Sequence, residues 1–192
     1  MRVNKCDYGY GAFHKKQMLV KSIFYLVLSA ICFTIGFTAK VKLATYLFKV
    51  LGALDLLPFA NAFVGFVMSL KLYKVRCDEE TYNKIKSVCK VDKPVIRYDM
   101  YITTYDKNFP IKSLTCFDGS LVAYTEDKKF DHNKFNEHIK LMLANNMLKV
   151  GNIKVFDNLD KYLGRISDMA ETGKENTEND FKVMELMENL SV

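Results

Sequence analysis

The sequence predicts a mixed chain, α+β or α/β, in which an N-terminal transmembrane helical hairpin precedes a small cytoplasmic helix-strand-strand-strand-helix-strand-helix domain. Three observations carry this. Two long apolar runs, residues 22 to 39 and 50 to 70, stand close together near the N-terminus. The formal charge of +6 belongs wholly to that region: residues 1–70 hold eight Lys/Arg against two Asp/Glu, while residues 71–192 hold twenty of each. Beyond residue 77, helical and alternating apolar periodicities follow one another at lengths suited to short helices and strands.

The first apolar run, SIFYLVLSAICFTIGFTA, lies between Lys21 and Lys40 and contains no charge. As helix it rises about 27 Å, close to the roughly 30 Å hydrocarbon core. It exceeds the h-region of a signal peptide, and Phe37 sits badly for a cut after Ala39, so an anchor is expected. The second run, VLGALDLLPFANAFVGFVMSL, is long enough to cross but is interrupted by Asp55, Pro58 and Asn61. A carboxylate in a membrane helix is costly and marks a functional position by default. The structural reading of this polar cluster is the stronger one: Asp55 is expected near the outer interface, hydrated or paired with Lys49. Pro58 removes the hydrogen bond to the Leu54 carbonyl. Gly65 and Ser69 form a small-xxx-small pair that lets helices approach.

Arg2, Lys5, Lys15, Lys16 and Lys21 precede the first run, and Lys71, Lys74 and Arg76 follow the second, with Lys84, Lys86 and Lys90 close behind. The segment around residues 40 to 49 has three lysines, which weakens the contrast without reversing it. The expected placement is a multi-pass cell-membrane protein with both termini cytoplasmic. The stretch LGALDLLPFANAFVGFVMSLK resembles the second helix of small, uncharacterised two-helix membrane proteins of anaerobic Gram-positive bacteria; the likeness covers residues 20 to 75. That resemblance implies location and no activity.

Asp78-Glu79-Glu80 reads as the cap and acidic first turn of a helix with Tyr82, Ile85 and Val88/Cys89 on one face. Ile96, Tyr98, Met100 and Ile102 alternate as one face of a strand reaching residue 105, with Arg97, Asp99 and Tyr101 on the other, a face open to a peptide or strand. A turn with Asp106, Asn108 and Pro110 leads to a strand from Ile111 to Phe117. Asp118-Gly119 then makes a tight hairpin into residues 120–126. Asp131 caps an amphipathic helix to about Leu148, stapled by Phe130 and Phe135. A strand follows over 152–156, parallel to 120–126 with a right-handed crossover. Asp157 or Asn158 caps a helix with Leu159, Tyr162, Leu163 and Ile166 inside. The acidic run ETGKENTEND reads as linker or disorder, and Phe181, Met184, Leu186, Met187 and Leu190 as a short helix that docks, binds a partner or frays. The resulting organisation is a cytoplasmic segment (1–17), a two-helix membrane hairpin (18–72), a cytoplasmic α/β domain (77–170), and a polar linker with a terminal helix (171–192).

The chemistry is sparse. The five cysteines are odd in number and form no CxxC pair, so reduced thiols are expected rather than a disulfide framework. His132 and His138 lie about 240° apart on one helix and do not share a metal. The element order is that of a restriction-endonuclease-like core, which directs attention to Glu126-Asp127-Lys128 as E-x-K with Asp106 as the partner carboxylate; Asp118 is too distant along its strand. Because E-x-K falls in a charged turn, no catalytic residue is assigned, and Asp106, Glu126 and Lys128 stand as the alternative. No cofactor or metal is expected. The leading expectation is an interaction or regulatory module with the lipid bilayer as partner, together with a protein partner or self-association. Nucleic acid is disfavoured because the domain has no net positive charge. Enzymatic activity is left open, with the balance against it.

Overall fold

The computed structural model describes residues 3–89, 94–104, 106–172 and 175–191. Arg2 and Lys90 of the basic flanks, residue 105 at the end of the expected first strand, and residues 173–174 of the polar run lie outside these. The elements are α1 (Tyr10–Thr38), α2 (Lys42–Val75), α3 (Glu79–Val88), β1 (Ile96–Thr103), β2 (Asn108–Phe117), β3 (Ser120–Tyr124), α4 (His132–Asn145), β4 (Asn152–Phe156), α5 (Leu159–Glu171) and α6 (Glu178–Leu190). The chain divides into two compact units. One joins Met1–Gly11 to Leu72–Val192; the other is Ala12–Lys71.

Both helices of the hairpin outrun their apolar segments. α1 has 29 residues and α2 has 34, about 43 and 51 Å of helix. The flanking Lys, Gln, Met and Tyr residues continue the helices, so Lys42 and Lys49, expected in a connection, belong to α2. Pro58 lies inside α2 without ending it. Within this unit the helices run antiparallel and approach through small residues. A Cβ on Gly52 would stand 3.1 Å from the Phe33 ring, and one on Gly36 would stand 3.0 Å from Lys49 Cγ. Ser29 Oγ donates to the Gly52 carbonyl at 2.8 Å. Gly65 faces Met18, and Ser69 is fully buried, donating to the Phe66 carbonyl at 2.6 Å.

The other unit is a four-stranded mixed sheet in the order β1-β2-β3-β4, with β1, β2 and β3 antiparallel and β4 parallel to β3. Asp118 (φ +49) and Gly119 (φ +68) both adopt left-handed backbone between the paired Phe117 and Ser120, which is the twist-matched two-residue hairpin turn. β2 starts at Asn108, earlier than its sequence suggests, with Pro110 inside it. Pro110 is tolerated because β3 pairs only from Ser113 onward, so no ladder partner beyond β1 needs its missing N–H.

Helices cover both faces. On one, Phe135, Ile139 and Leu143 of α4 and Val183, Met184 and Met187 of α6 meet Met100, Ile102, Ile111 and Leu121. On the other, Ile85 of α3 and Tyr162, Ile166 and Met169 of α5 meet Tyr98, Phe117, Val122 and Tyr124. The caps follow the sequence: Asp78, Asp131 and Asn158 each accept an N–H from the third residue onward. Phe130 and Phe135 close the staple with ring centroids 5.3 Å apart. α6 is docked, and the end of the polar run is ordered rather than linker. Thr177 and Asp180 form a reciprocal capping box, and Asp180, fully buried, also accepts from Gly119 N at 3.0 Å and Asp118 N at 3.2 Å.

β1 departs from the expected alternation. Tyr98 faces the α3/α5 side, whereas Met100 and Ile102 face α4 and α6. Two residues apart should share a face; Asp99, at φ +52, reverses them. Its side chain is not exposed with Arg97 but fully buried. Oδ1 accepts from Cys77 N at 2.7 Å and Oδ2 from Gly11 N at 3.2 Å. Gly11 is the second residue of α1, which has no acidic residue of its own in its first turn, so Asp99 supplies the negative charge a helix N-terminus favours. The N-terminal segment belongs to this domain. Cys6 is in the core, its carbonyl accepts from Tyr98 N at 2.8 Å, and Tyr8 stacks on Tyr82 at 3.9 Å.

Asp99→Ala strands two buried N–H groups and is expected to destabilise the domain by about 3 kcal/mol. Asp99→Asn, which tolerates positive φ and keeps one acceptor, should cost about half as much. Pulsed thiol labelling of the buried Cys77 against urea reads both; equal stability of all three proteins would contradict the assignment.

Candidate functional site

A polar constellation of the domain gathers at the N-terminus of α3. Asp78 Oδ1 accepts from Thr81 N at 2.8 Å, and Oδ2 accepts from Thr81 Oγ1 at 2.9 Å and Lys112 Nζ at 3.0 Å. The same ammonium reaches Glu126 Oε2 at 2.7 Å, and Glu126 Oε1 accepts from Tyr124 OH at 3.0 Å. Three elements position this chain of contacts: the α3 cap, β2 at the point where its side chains change faces opposite Asp99, and the end of β3. Lys112 is 13% exposed and its two carboxylates about half, so the ammonium is enclosed while its partners reach solvent.

Burial works against the charged form of Asp78, but hydrogen bonds from Thr81 and Lys112 outweigh it and hold the carboxyl well below its ordinary range. Burial likewise opposes the Lys112 charge, and contacts with Glu126 and Asp78 reverse this, raising its pKa. Burial and then the Glu126 hydrogen bond push Tyr124 up. Neighbouring Cys77 rises to about 12 through burial and the negative charges of Asp99 and Asp78; a thiol so protonated is no nucleophile at neutral pH. The two carboxylates converge on a lysine, and among the described residues no group of three or more His, Cys, Asp or Glu is placed to hold a metal ion.

Glu126 is thus engaged with Lys112 and Tyr124. Asp106 and Lys128 are exposed and make no hydrogen bond or ion pair among the described residues. Asp106 lies instead on the rim of a concavity of about 800 Å³ with Thr103, Lys134, Glu137, His138 and Leu141. Burial lowers the pKa of His138, whose Nε2 is enclosed without a partner. Lys112 was missed in the sequence because its partners are 34 and 14 positions away and only the strand pairing brings them together.

The membrane-type polar cluster separates into two places. Asp55 faces α1, where Cys32 Sγ donates to Oδ2 at 3.7 Å; Cys32 stands near the middle of the uncharged 22–39 run, not near its end. Lys49 is not paired with Asp55 but sits 4.5 Å over the Phe37 ring. Pro58 and Asn61 line a separate groove with Met18, Lys21, Tyr25, Ala62 and Gly65.

Lys112→Met leaves Asp78 and Glu126 facing each other and should cost about 1–2 kcal/mol at pH 7, at the low end for an enclosed ion pair because both partners reach water. The Asp78 contribution is full above the ordinary carboxylate value of 3.8 and is lost as pH falls through its depressed folded value. The raised Lys112 contribution is full below 10.5 and is lost above its folded value. The stability gap between wild type and Lys112→Met, read by urea denaturation, should therefore narrow toward about pH 3 and again at strongly alkaline pH; a gap independent of pH would contradict the pairing. Compared with known protein families, with characterised proteins and with solved structures, the chain finds no match.

Proposed function

We propose that the chain is a two-span membrane protein whose α/β domain acts on the cytoplasmic side as an interaction or regulatory module. Two helices are long and apolar enough to cross a membrane, and only 11% of each apolar window is buried. Among the described residues, the exposed large apolar side chains lie between Leu19 and Val67 except Leu141, Met147 and Phe181. So large a continuous apolar surface is unfavourable in water and is satisfied by lipid. The kinship with small two-helix membrane proteins suggested by LGALDLLPFANAFVGFVMSLK belongs to the same proposal and concerns location.

One observation carries the topology. The segment before the hairpin and the chain after it build one core, with Cys6 among the α4/α6 residues and Lys5 Nζ donating to the Ser191 carbonyl at 2.6 Å. This shared core supports placing both flanks of the hairpin on the same side of the membrane. A cytoplasmic side is favoured by Lys5, Lys15, Lys16, Lys21, Lys71, Lys74 and Arg76, which outnumber Lys40, Lys42 and Lys49 around the turn. An interaction role is favoured by the open concavity beside Leu141.

Alkaline phosphatase fused after Val192 should be inactive, and the same enzyme inserted in the 39–41 turn should be active outside the cell. An active C-terminal fusion reverses the orientation; loss of the protein from the membrane pellet after a carbonate wash overturns the membrane reading itself. As a check on the enzymatic alternative, joint substitution of Asp106, Glu126 and Lys128 is expected to leave metal-dependent nucleic-acid cleavage at the same background level as wild type.

A further inference from the structure

We infer that the groove between α1 and α2 formed by Met18, Lys21, Tyr25, Pro58, Asn61 and Gly65 is a binding site for the headgroup of an anionic phospholipid. The inference rests on the membrane reading above and adds a ligand to it. The groove has a volume of about 380 Å³ and lies wholly within the hairpin. Its polar groups are an ammonium, a phenol and a carboxamide, and no carboxylate lines it.

Several hydroxyls elsewhere in the hairpin are satisfied by its own backbone. Ser29 donates to the Gly52 carbonyl, Ser69 to Phe66, Thr34 to Ala30, and Thr38 to Thr34. By contrast, Lys21, Tyr25 and Asn61 make no hydrogen bond or ion pair among the described residues. Three donor side chains that the protein itself does not engage thus open on one groove. A phosphodiester offers the negative charge and the multiple acceptor oxygens that such a set requires.

The position selects a lipid over a free anion. Lys21 is the charge at which the uncharged run of α1 begins, the level at which a lysine meets headgroups. Val20 and Phe24 of α1 and Leu57 and Val64 of α2, neighbours in sequence to the groove residues, are exposed and offer acyl chains an apolar surface on either side. Lys15 and Lys16, one to two turns further out on α1, add positive potential at the same end of the hairpin.

Full-length protein is delipidated in a nonionic detergent and titrated with phosphatidylglycerol or with phosphatidylcholine of the same acyl chains. Bound lipid per chain is read by native mass spectrometry. Wild type is expected to retain phosphatidylglycerol in preference to phosphatidylcholine, and Lys21→Gln to weaken phosphatidylglycerol retention about fivefold with phosphatidylcholine unchanged. Asn61→Leu, which keeps the charge, should weaken it less; Lys42→Gln, at the opposite end of the hairpin, should not weaken it. Equal retention of the two lipids by wild type, or undiminished phosphatidylglycerol retention in both groove variants, overturns the site. Displacement of phosphatidylglycerol by millimolar inorganic phosphate also overturns it, in favour of a free-anion site. A carbonate wash of the same membranes separates the two levels: protein released by the wash defeats the membrane reading, whereas protein that stays integral without lipid preference defeats only the groove.

Discussion

Two backbone amides that flank the hairpin in sequence, Gly11 and Cys77, close on the two oxygens of one buried carboxylate. Asp99 can reach both because its own backbone is left-handed, an arrangement that a short polar side chain tolerates better than most. Much of the domain follows from it. The reversal at Asp99 turns Tyr98 toward α3 and α5 while Met100 and Ile102 go to the other core. The opposite strand makes the same change between Ile111 and Ser113, which bonds Tyr162 at 2.8 Å. Between them, Lys112 is directed to Asp78 and Glu126. Burial raises the pKa of Asp99, against the amides that favour its charge, so the carboxylate depends on those amides staying in place.

Buried acids recur as organisers of this fold. Asp180 does at the β2–β3 turn what Asp99 does at the hairpin ends, gathering backbone N–H groups from a helix start and from a turn. In both cases a single side chain fixes two segments distant in sequence, and each unmet amide would cost free energy if the acid were removed. Apolar packing alone is indifferent to such alignment. These carboxylates specify which segment meets which.

Local signals were legible in the sequence and long-range ones were not. The Asp118-Gly119 turn, the caps at Asp78, Asp131 and Asn158, the Phe130/Phe135 staple and β4 over Asn152–Phe156 all depend on residues a few positions apart. Asp99 read as an ordinary outward polar residue because alternation assumes regular backbone, and only partners 22 and 88 positions away reveal otherwise. Cys6 and Asp180 were hidden for the same reason: nothing within ten residues of either announces a core position. The membrane-type cluster was recognised as a group, but helix register, which a single apolar run does not contain, sends Asp55 to Cys32 and Asn61 to Lys21's groove.

The sheet has two outer strands, and the chain treats them differently. Along β1, Tyr98 N is taken by the Cys6 carbonyl, Tyr101 N by Ser191 Oγ, and Ile102 is bridged to Ser191. Segments near both ends of the chain thereby cap one border of the sheet. Among the described residues, β4 has a strand neighbour only on its β3 side, yet it is five residues long and carries an exposed Lys154 at its centre, 4.9 Å over the Phe156 ring. A short border strand with a central lysine is a poor template for another copy's strand, since pairing would bury that charge. Crowded copies of the chain are thereby discouraged from joining sheet to sheet.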